Sequence, residues 1–205
     1  LQVEDDVLTV KGSSIVALCK GFHDYILENG YGIASWSCNR LDFPDKLEPM
    51  QEKVVRSPFE KHLFFNVCTF GYTAPFWDWE RWEKEIDWLA LHGFDMPLNP
   101  IAFEAISARV YRQLGLSEEE ITQYFPGPAH FPWMRMGNIS NIDGGMSAKW
   151  HENQIRLQHK MTGRMRELGM TPVIQGFAGF VPDAVAPNTS VKIALYFSKF
   201  VINMI

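Results

Sequence analysis

His62-Leu-Phe-Phe-Asn-Val-Cys68, then Thr69 to Phe76, then Trp77-Asp-Trp-Glu-Arg-Trp-Glu-Lys-Glu-Ile-Asp-Trp-Leu-Ala-Leu-His92, Gly93 and Phe94-Asp-Met-Pro-Leu98 form the stretch that decides the fold. The first piece reads as an apolar strand and the second as a polar-aromatic turn. The third is a helix. Asp78 stands where an N-cap belongs, and Trp79, Trp82, Ile86, Leu89 and Ala90 recur at three- and four-residue spacing. Glu80 with Lys84, and Arg81 with Glu85, are opposite charges at i,i+4 expected on the exposed side. Gly93 stops the helix, and Phe94 to Leu98 is expected as a second strand closed by Asn99-Pro100. A strand, a helix and a strand within about 40 residues make a βαβ unit, whose two strands must run parallel.

Ligands of such units bind where strands end and loops begin. That edge carries Asn66, Cys68, Thr69 and Tyr72. Two readings are open for it. The residues line a pocket for a polar, ring-shaped ligand, or Asn66 and Thr69 satisfy loop backbone groups while Cys68 is a small buried side chain.

The 205 residues are 46% hydrophobic and 21% charged, ordinary for one or two globular domains with a substantial core. A net charge of −5 and no clustering of Lys and Arg argue against a nucleic-acid surface. Seven Trp and fifteen Phe suit sugar stacking and core filling alike. Cys19, Cys38 and Cys68 have no CxxC spacing, so no metal knuckle is indicated, and whether Cys19 and Cys38 pair is left open.

Along the chain, Leu8 to Val10 is a short strand candidate, and Ser13 or Ser14 caps a helix running through Glu28. Ile15, Leu18, Phe22, Tyr25 and Ile26 are expected on its inner face, with Tyr31 to Trp36 as the next strand. This is a small strand–helix–strand unit followed by a Pro-containing connector, so residues 1–60 are expected to form a leading α/β domain. A helix over Phe103 to Leu114 and a capping-box helix from Ser117 to about Tyr124 follow. Phe125 to Gly145, rich in Pro and Gly yet carrying Phe131, Trp133, Met134 and Met136, reads as a structured functional loop. Ser147 opens a helix with Leu157, Met161, Met165 and Leu168 on one stripe, and Met170 to Gln175 is the third strand. The apolar tail from Val191 is too short to span a membrane. The whole is α/β: a leading subdomain, then residues 61–205 as about three β/α units of the eight in a (β/α)8 barrel of TIM type.

Several chemistries lack support. His151 and His159 are eight apart without a third ligand, and there is neither a P-loop nor GxGxxG. Cys68 with a histidine would need an orienting partner that the sequence does not identify. Among carboxylates, Asp95 is early in its strand, Asp143 lies in a loop and Glu104 on a helix, none where a facing pair for glycoside hydrolysis is wanted.

A dozen short motifs, in order, resemble the α-N-acetylglucosaminidase family of glycoside hydrolases. They include Asn66-Val-Cys-Thr69, Trp77-Asp-Trp79, Glu85-Ile-Asp-Trp88, Met96-Pro-Leu98, Glu104-Ala105, Phe125-Pro-Gly-Pro-Ala129, Trp133-Met-Arg-Met-Gly-Asn138, Leu157-Gln-His159, Gly169-Met-Thr-Pro-Val173 and Phe177-Ala-Gly179. The resemblance runs from about Val10 to Val185. It implies a leading domain before a (β/α)8 catalytic domain, and removal of terminal α-linked N-acetylglucosamine with retention through two glutamates. It implies a secreted, periplasmic or lysosomal setting, a glycan partner and no cofactor. On the matching positions Asn66, Cys68 and Trp133 are expected to contact the sugar, with Tyr72 and His159 as further candidates. His159 also reads as a partly exposed helix residue, off the Leu157–Met161 stripe. An indole face suits the C–H bonds of a pyranose, and an amide both donates to and accepts from hydroxyls. After Leu98 the family's Gly-Gln-Glu turn is replaced by Asn99-Pro-Ile-Ala-Phe-Glu104. The family's acid/base glutamate follows an asparagine in a strand beyond the third. No such pair occurs here, so the chain is expected to be an inactive amino-terminal portion. A non-catalytic carbohydrate-binding or interaction module is the alternative.

Overall fold

The structure is a computed structural model, and it describes residues 1–139, 142 and 144–185. Asp143 and the tail from Val191, both read above, lie outside the described residues. The chain divides into two compact units. One holds Leu1–Phe64, Glu83–Pro97 and Arg164–Thr171; the other holds Phe65–Trp82, Leu98–Gly163 and the described residues from Pro172.

In the first unit, β1 (Gln2–Glu4) and β2 (Val7–Thr9) form an antiparallel hairpin, its turn made by Asp5 and Asp6 at positive φ. Helix α1 (Ile15–Glu28) begins where Ser14 Oγ accepts from the Ala17 amide at 3.1 Å, and Asn29 and Gly30 (φ +71°) end it. The expected strand, helix and strand follow in that order, as β2, α1 and a third strand. β3 (Gly32–Ala34) pairs antiparallel with β4 (Asn39–Leu41) in a second hairpin, separate from the first. The inner face of α1 is rotated from expectation. Val16, His23, Tyr25 and Ile26 are buried, whereas Ile15, Leu18 and Phe22 are exposed, because the side packed by Val3, Leu8 and Tyr31 lies toward Tyr25. Cys19 and Cys38 are free thiols.

β5 (Leu63–Phe64) and β6 (Met96–Pro97) pair in parallel, Leu63 opposite Met96, as the βαβ reading requires. Asp95 fixes the entry to this pair, its Oδ1 accepting from the His62 amide at 2.8 Å. The connecting helix α2 (Trp79–Leu91) starts on Asp78, whose Oδ1 accepts from the Arg81 amide at 2.9 Å, and stops at Gly93 (φ +85°). Trp82, Ile86, Leu89 and Ala90 are buried as expected. Glu85 is not on an exposed side; it too is buried, and Arg81 lies over the Trp77 ring.

In the second unit, Leu98 makes a parallel bridge to Val173, which is as much strand as the expected Met170–Gln175 run shows. Helix α3 (Phe103–Gln113), ended at Gly115, and α4 (Glu118–Tyr124) carry the core: Ala105, Ile106, Ala108, Val110, Tyr111, Ile121 and Phe125 pack with Met134. The capping box is complete, Ser117 Oγ accepting from the Glu120 amide while Glu120 accepts from the Ser117 amide. Helix α6 (Ala148–Glu167), whose residues from Arg164 belong to the first unit, buries Met161 and Met165. Beside that stripe it also buries Gln158 and Thr162, which form a polar relay. Gln158 Oε1 accepts from the Ala102 amide, and Thr162 Oγ1 accepts from Gln158 Nε2 and Asn99 Nδ2. Among the described residues no helix is long and apolar enough to cross a membrane.

Candidate functional site

The strand expected to continue to Cys68 ends at Phe64. Phe65 takes φ +70°, a left-handed conformation outside the β region, and Asn66 turns the chain into a 3₁₀ helix over Val67–Phe70. Asn66 Oδ1 accepts from the Thr69 amide at 3.1 Å and from Thr69 Oγ1 at 3.3 Å. Its oxygen therefore caps the turn, which leaves the amide nitrogen of this exposed residue as its remaining polar group. Cys68 lies inside the turn as a half-buried free thiol, its carbonyl accepting from the Gly71 amide at 3.0 Å. Tyr72 follows at φ +54°, with its side chain 67% exposed. Such a conformation is costly for a residue with a Cβ, and strain of this kind concentrates at functional positions.

The segment that packs against this turn lies in what the sequence offered as a structured loop, Phe125 to Gly145. Gly127 is followed by a 3₁₀ turn over Pro128–His130 and then by α5 (Phe131–Arg135). Pro128 and Pro132, each at the start of a helical turn, supply the φ that such turns need and lack only N–H groups that would go unused there. Gly137 (φ +76°) ends the helix, with Asn138 N donating to Trp133 O at 2.9 Å. Too short for periodicity to reveal, α5 nevertheless places Trp133. The Trp133 indole meets the Tyr72 ring edge to face, centroids 5.5 Å apart at 85°. This is a favourable aromatic geometry.

The structure thus brings together Tyr72 and Trp133 directly, with Asn66 and Cys68 on the same turn-forming segment as Tyr72. His159 stands apart on α6 as an exposed helix residue. Among the described residues, no hydrogen bond or ring contact joins it to the other four, and no group of three or more His, Cys, Asp or Glu side chains could hold a metal.

Sequence reasoning missed a buried ion pair on the helix that carries Trp133. Glu104 and Arg135, whose side chains are 0% and 2% exposed, form a two-pronged ion pair, with Nε to Oε1 and Nη2 to Oε2 both at 2.8 Å. Nη2 also donates to the Pro100 carbonyl at 3.1 Å. The available signal was an arginine inside the apolar run Phe131-Pro-Trp-Met-Arg-Met136 and a glutamate between Phe103 and Ala105-Ile106. Charges so placed are buried only when paired.

Comparison with known proteins gives this geometry a family. Residues 62–199 match the alpha-N-acetylglucosaminidase (NAGLU) tim-barrel domain. Human alpha-N-acetylglucosaminidase is 42% identical over 177 residues, which cover 86% of this chain and 24% of that protein. A family 89 glycoside hydrolase from Clostridium perfringens, solved with 2-acetamido-1,2-dideoxynojirmycin, is 33% identical with a TM-score of 0.79, over 88% of this chain and 21% of that one. CpGH89 from the same bacterium, a variant with two glutamate-to-glutamine changes solved with its substrate GlcNAc-alpha-1,4-galactose, is 26% identical with a TM-score of 0.87, over 98% of this chain and 26% of that one. The chain therefore spans about a quarter of the length of the curated relative (24%). A domain-length match, 42% identity and shared α/β architecture agree that this chain belongs to the alpha-N-acetylglucosaminidase family of glycoside hydrolases.

Proposed function

We propose that this chain supplies part of the pocket by which an α-N-acetylglucosaminidase holds a terminal α-linked N-acetylglucosamine. Residues 1–60 form a leading domain in this reading, and 61–205 contribute about three of the eight β/α units of a TIM-type barrel. The observation that carries it is the Tyr72–Trp133 corner, 5.5 Å between centroids, built directly beyond β5 with Asn66 and Cys68 on the same segment. Trp133 offers a flat apolar wall to the sugar ring, and the Asn66 amide nitrogen a donor to a hydroxyl or acetamido oxygen. His159, exposed on α6, is included as a further proposed contact. The bacterial relative's complex with a GlcNAc-containing substrate supports the ligand class.

Hydrolysis with retention needs one carboxyl group to protonate the leaving oxygen and a second to form the glycosyl-enzyme bond. We assign neither role to a carboxylate of this chain. Glu104 is committed to Arg135, and Asp95 to the His62 amide. The 205-residue chain is therefore expected to bind N-acetylglucosamine without cleaving an aryl α-N-acetylglucosaminide. Titration of the sugar against the chain and its Trp133→Ala variant, with release of the aryl alcohol followed in parallel, tests this. Equal affinity in the two proteins would overturn the pocket. Turnover above that of the Trp133→Ala chain would overturn the assignment of no catalytic pair.

A further inference from the structure

We propose that Glu104 and Arg135 act as a positioning device, holding the Trp133 indole at the orientation the sugar requires; this rests on the pocket reading above. Helix α5 is five residues long, far below the length at which a helix sustains itself in water. Trp133 is thus oriented by whatever fastens α5, and the one strongly directional fastening within α5 is at Arg135, two residues away.

That fastening is unusually specific. A bidentate guanidinium–carboxylate fork fixes the plane of the side chain as well as its position, unlike the point charge of a lysine. Both groups are withdrawn from water, the Pro100 carbonyl takes a third bond, and the guanidinium carbon stands 5.5 Å from the Phe103 ring and 5.8 Å from that of Phe131. Arg135 Nη1 is buried with no hydrogen-bond partner, a cost that an apolar pairing at the same place would avoid. A buried ion pair adds little net stability over well-packed apolar residues of similar volume. What the fork supplies and apolar side chains cannot is direction. It binds α3, which carries Glu104, to α5, which carries Trp133, in one relative orientation.

The test separates orientation from stability. The full chain is labelled with 5-fluorotryptophan, and the Trp133 resonance is assigned through Trp133→Phe. The double variant Glu104→Met with Arg135→Met removes the fork without stranding a charge, and Arg135→Lys keeps the charge without the fork. Each variant is expected to shift or broaden the Trp133 resonance while the other tryptophan signals stay in place. Affinity for N-acetylglucosamine is expected to fall about tenfold, as when the partner that orients a binding group is lost. An unmoved Trp133 resonance in the folded variants would overturn the positioning role. If affinity is unchanged in the double variant but lost in Trp133→Ala, the link from orientation to sugar binding is overturned. If the parent chain binds no sugar, the pocket reading fails, and the resonance still decides whether the pair positions Trp133.

Discussion

Gly71 backs directly onto the indole of Trp133: a Cβ at this position would stand 2.8 Å from Cζ3, 3.1 Å from the Ala129 carbonyl and 3.1 Å from Pro132 Cγ. The φ of Gly71 is −93°, so its requirement is for space and not for backbone freedom. Gly71→Ala should push α5 off the 3₁₀ segment at a cost of about 1–3 kcal/mol, as overpacking does. Loss of sugar affinity should accompany the fall in melting temperature. An alanine variant that melts and binds like the parent would show that the close approach is not needed.

Tyr72 makes the opposite use of its backbone. Its φ of +54° costs a residue with a Cβ roughly 1–2 kcal/mol, a cost glycine avoids. The exposed ring loses little burial on removal, and its edge contact with Trp133 contributes roughly 0.5–1.5 kcal/mol. These terms nearly cancel, so Tyr72→Gly should leave stability within about 1 kcal/mol of the parent while weakening N-acetylglucosamine binding. Undiminished binding would remove Tyr72 from the pocket.

Asn66 can be divided by chemistry. Aspartate retains the oxygen that accepts from Thr69 N and Oγ1 but not the amide donor. If the nitrogen serves the sugar, Asn66→Asp should melt like the parent and bind more weakly, while Asn66→Ala should also lose about 1 kcal/mol of stability with the cap. Parent-like binding by the aspartate variant would leave Asn66 with its structural role alone.

Features written in local chemistry were legible in the sequence. Asp78 and the Trp82-Ile86-Leu89 spacing specify α2, and Ser117 with Glu120 specifies the start of α4, because capping and periodicity act within a few residues. The end of β5 was not legible. Leu63-Phe-Phe65 continues an apolar run, and only the positive φ at Phe65 shows that the strand has stopped. Periodicity revealed that α1 has an apolar stripe but not which part of it meets the β1–β2 hairpin, since that depends on residues distant in sequence. That the segment carrying Trp133 is structured was legible through its composition. Its helix escaped notice, because two prolines in so short a segment resemble a breaker when they are in fact starts. Glu104 and Arg135 are 31 positions apart, and no spacing rule links them.

His151 gives the fold a sensitivity to acid. Its ring is packed between Phe125 and Trp150, and Nδ1 is buried without a hydrogen-bond partner. Burial first, and the Arg112 guanidinium second, push its pKa down to about 4 from 6.5, with the Glu118 carboxylate opposing them. Below pH 6.5 the unfolded chain takes up a proton that the folded chain refuses. The stability contributed by neutral His151 is thus complete above pH 6.5 and is lost as pH falls toward 4, amounting to about 3 kcal/mol across that window. His151→Phe removes the titrating group and keeps an aromatic ring between the same neighbours. Melting temperatures measured from pH 7.5 to pH 4.5 should fall less steeply for the phenylalanine variant. Some acid sensitivity will persist in both proteins through His23, whose pKa burial also lowers. Identical slopes for parent and variant would show that His151 is already solvated and free to protonate in the folded chain.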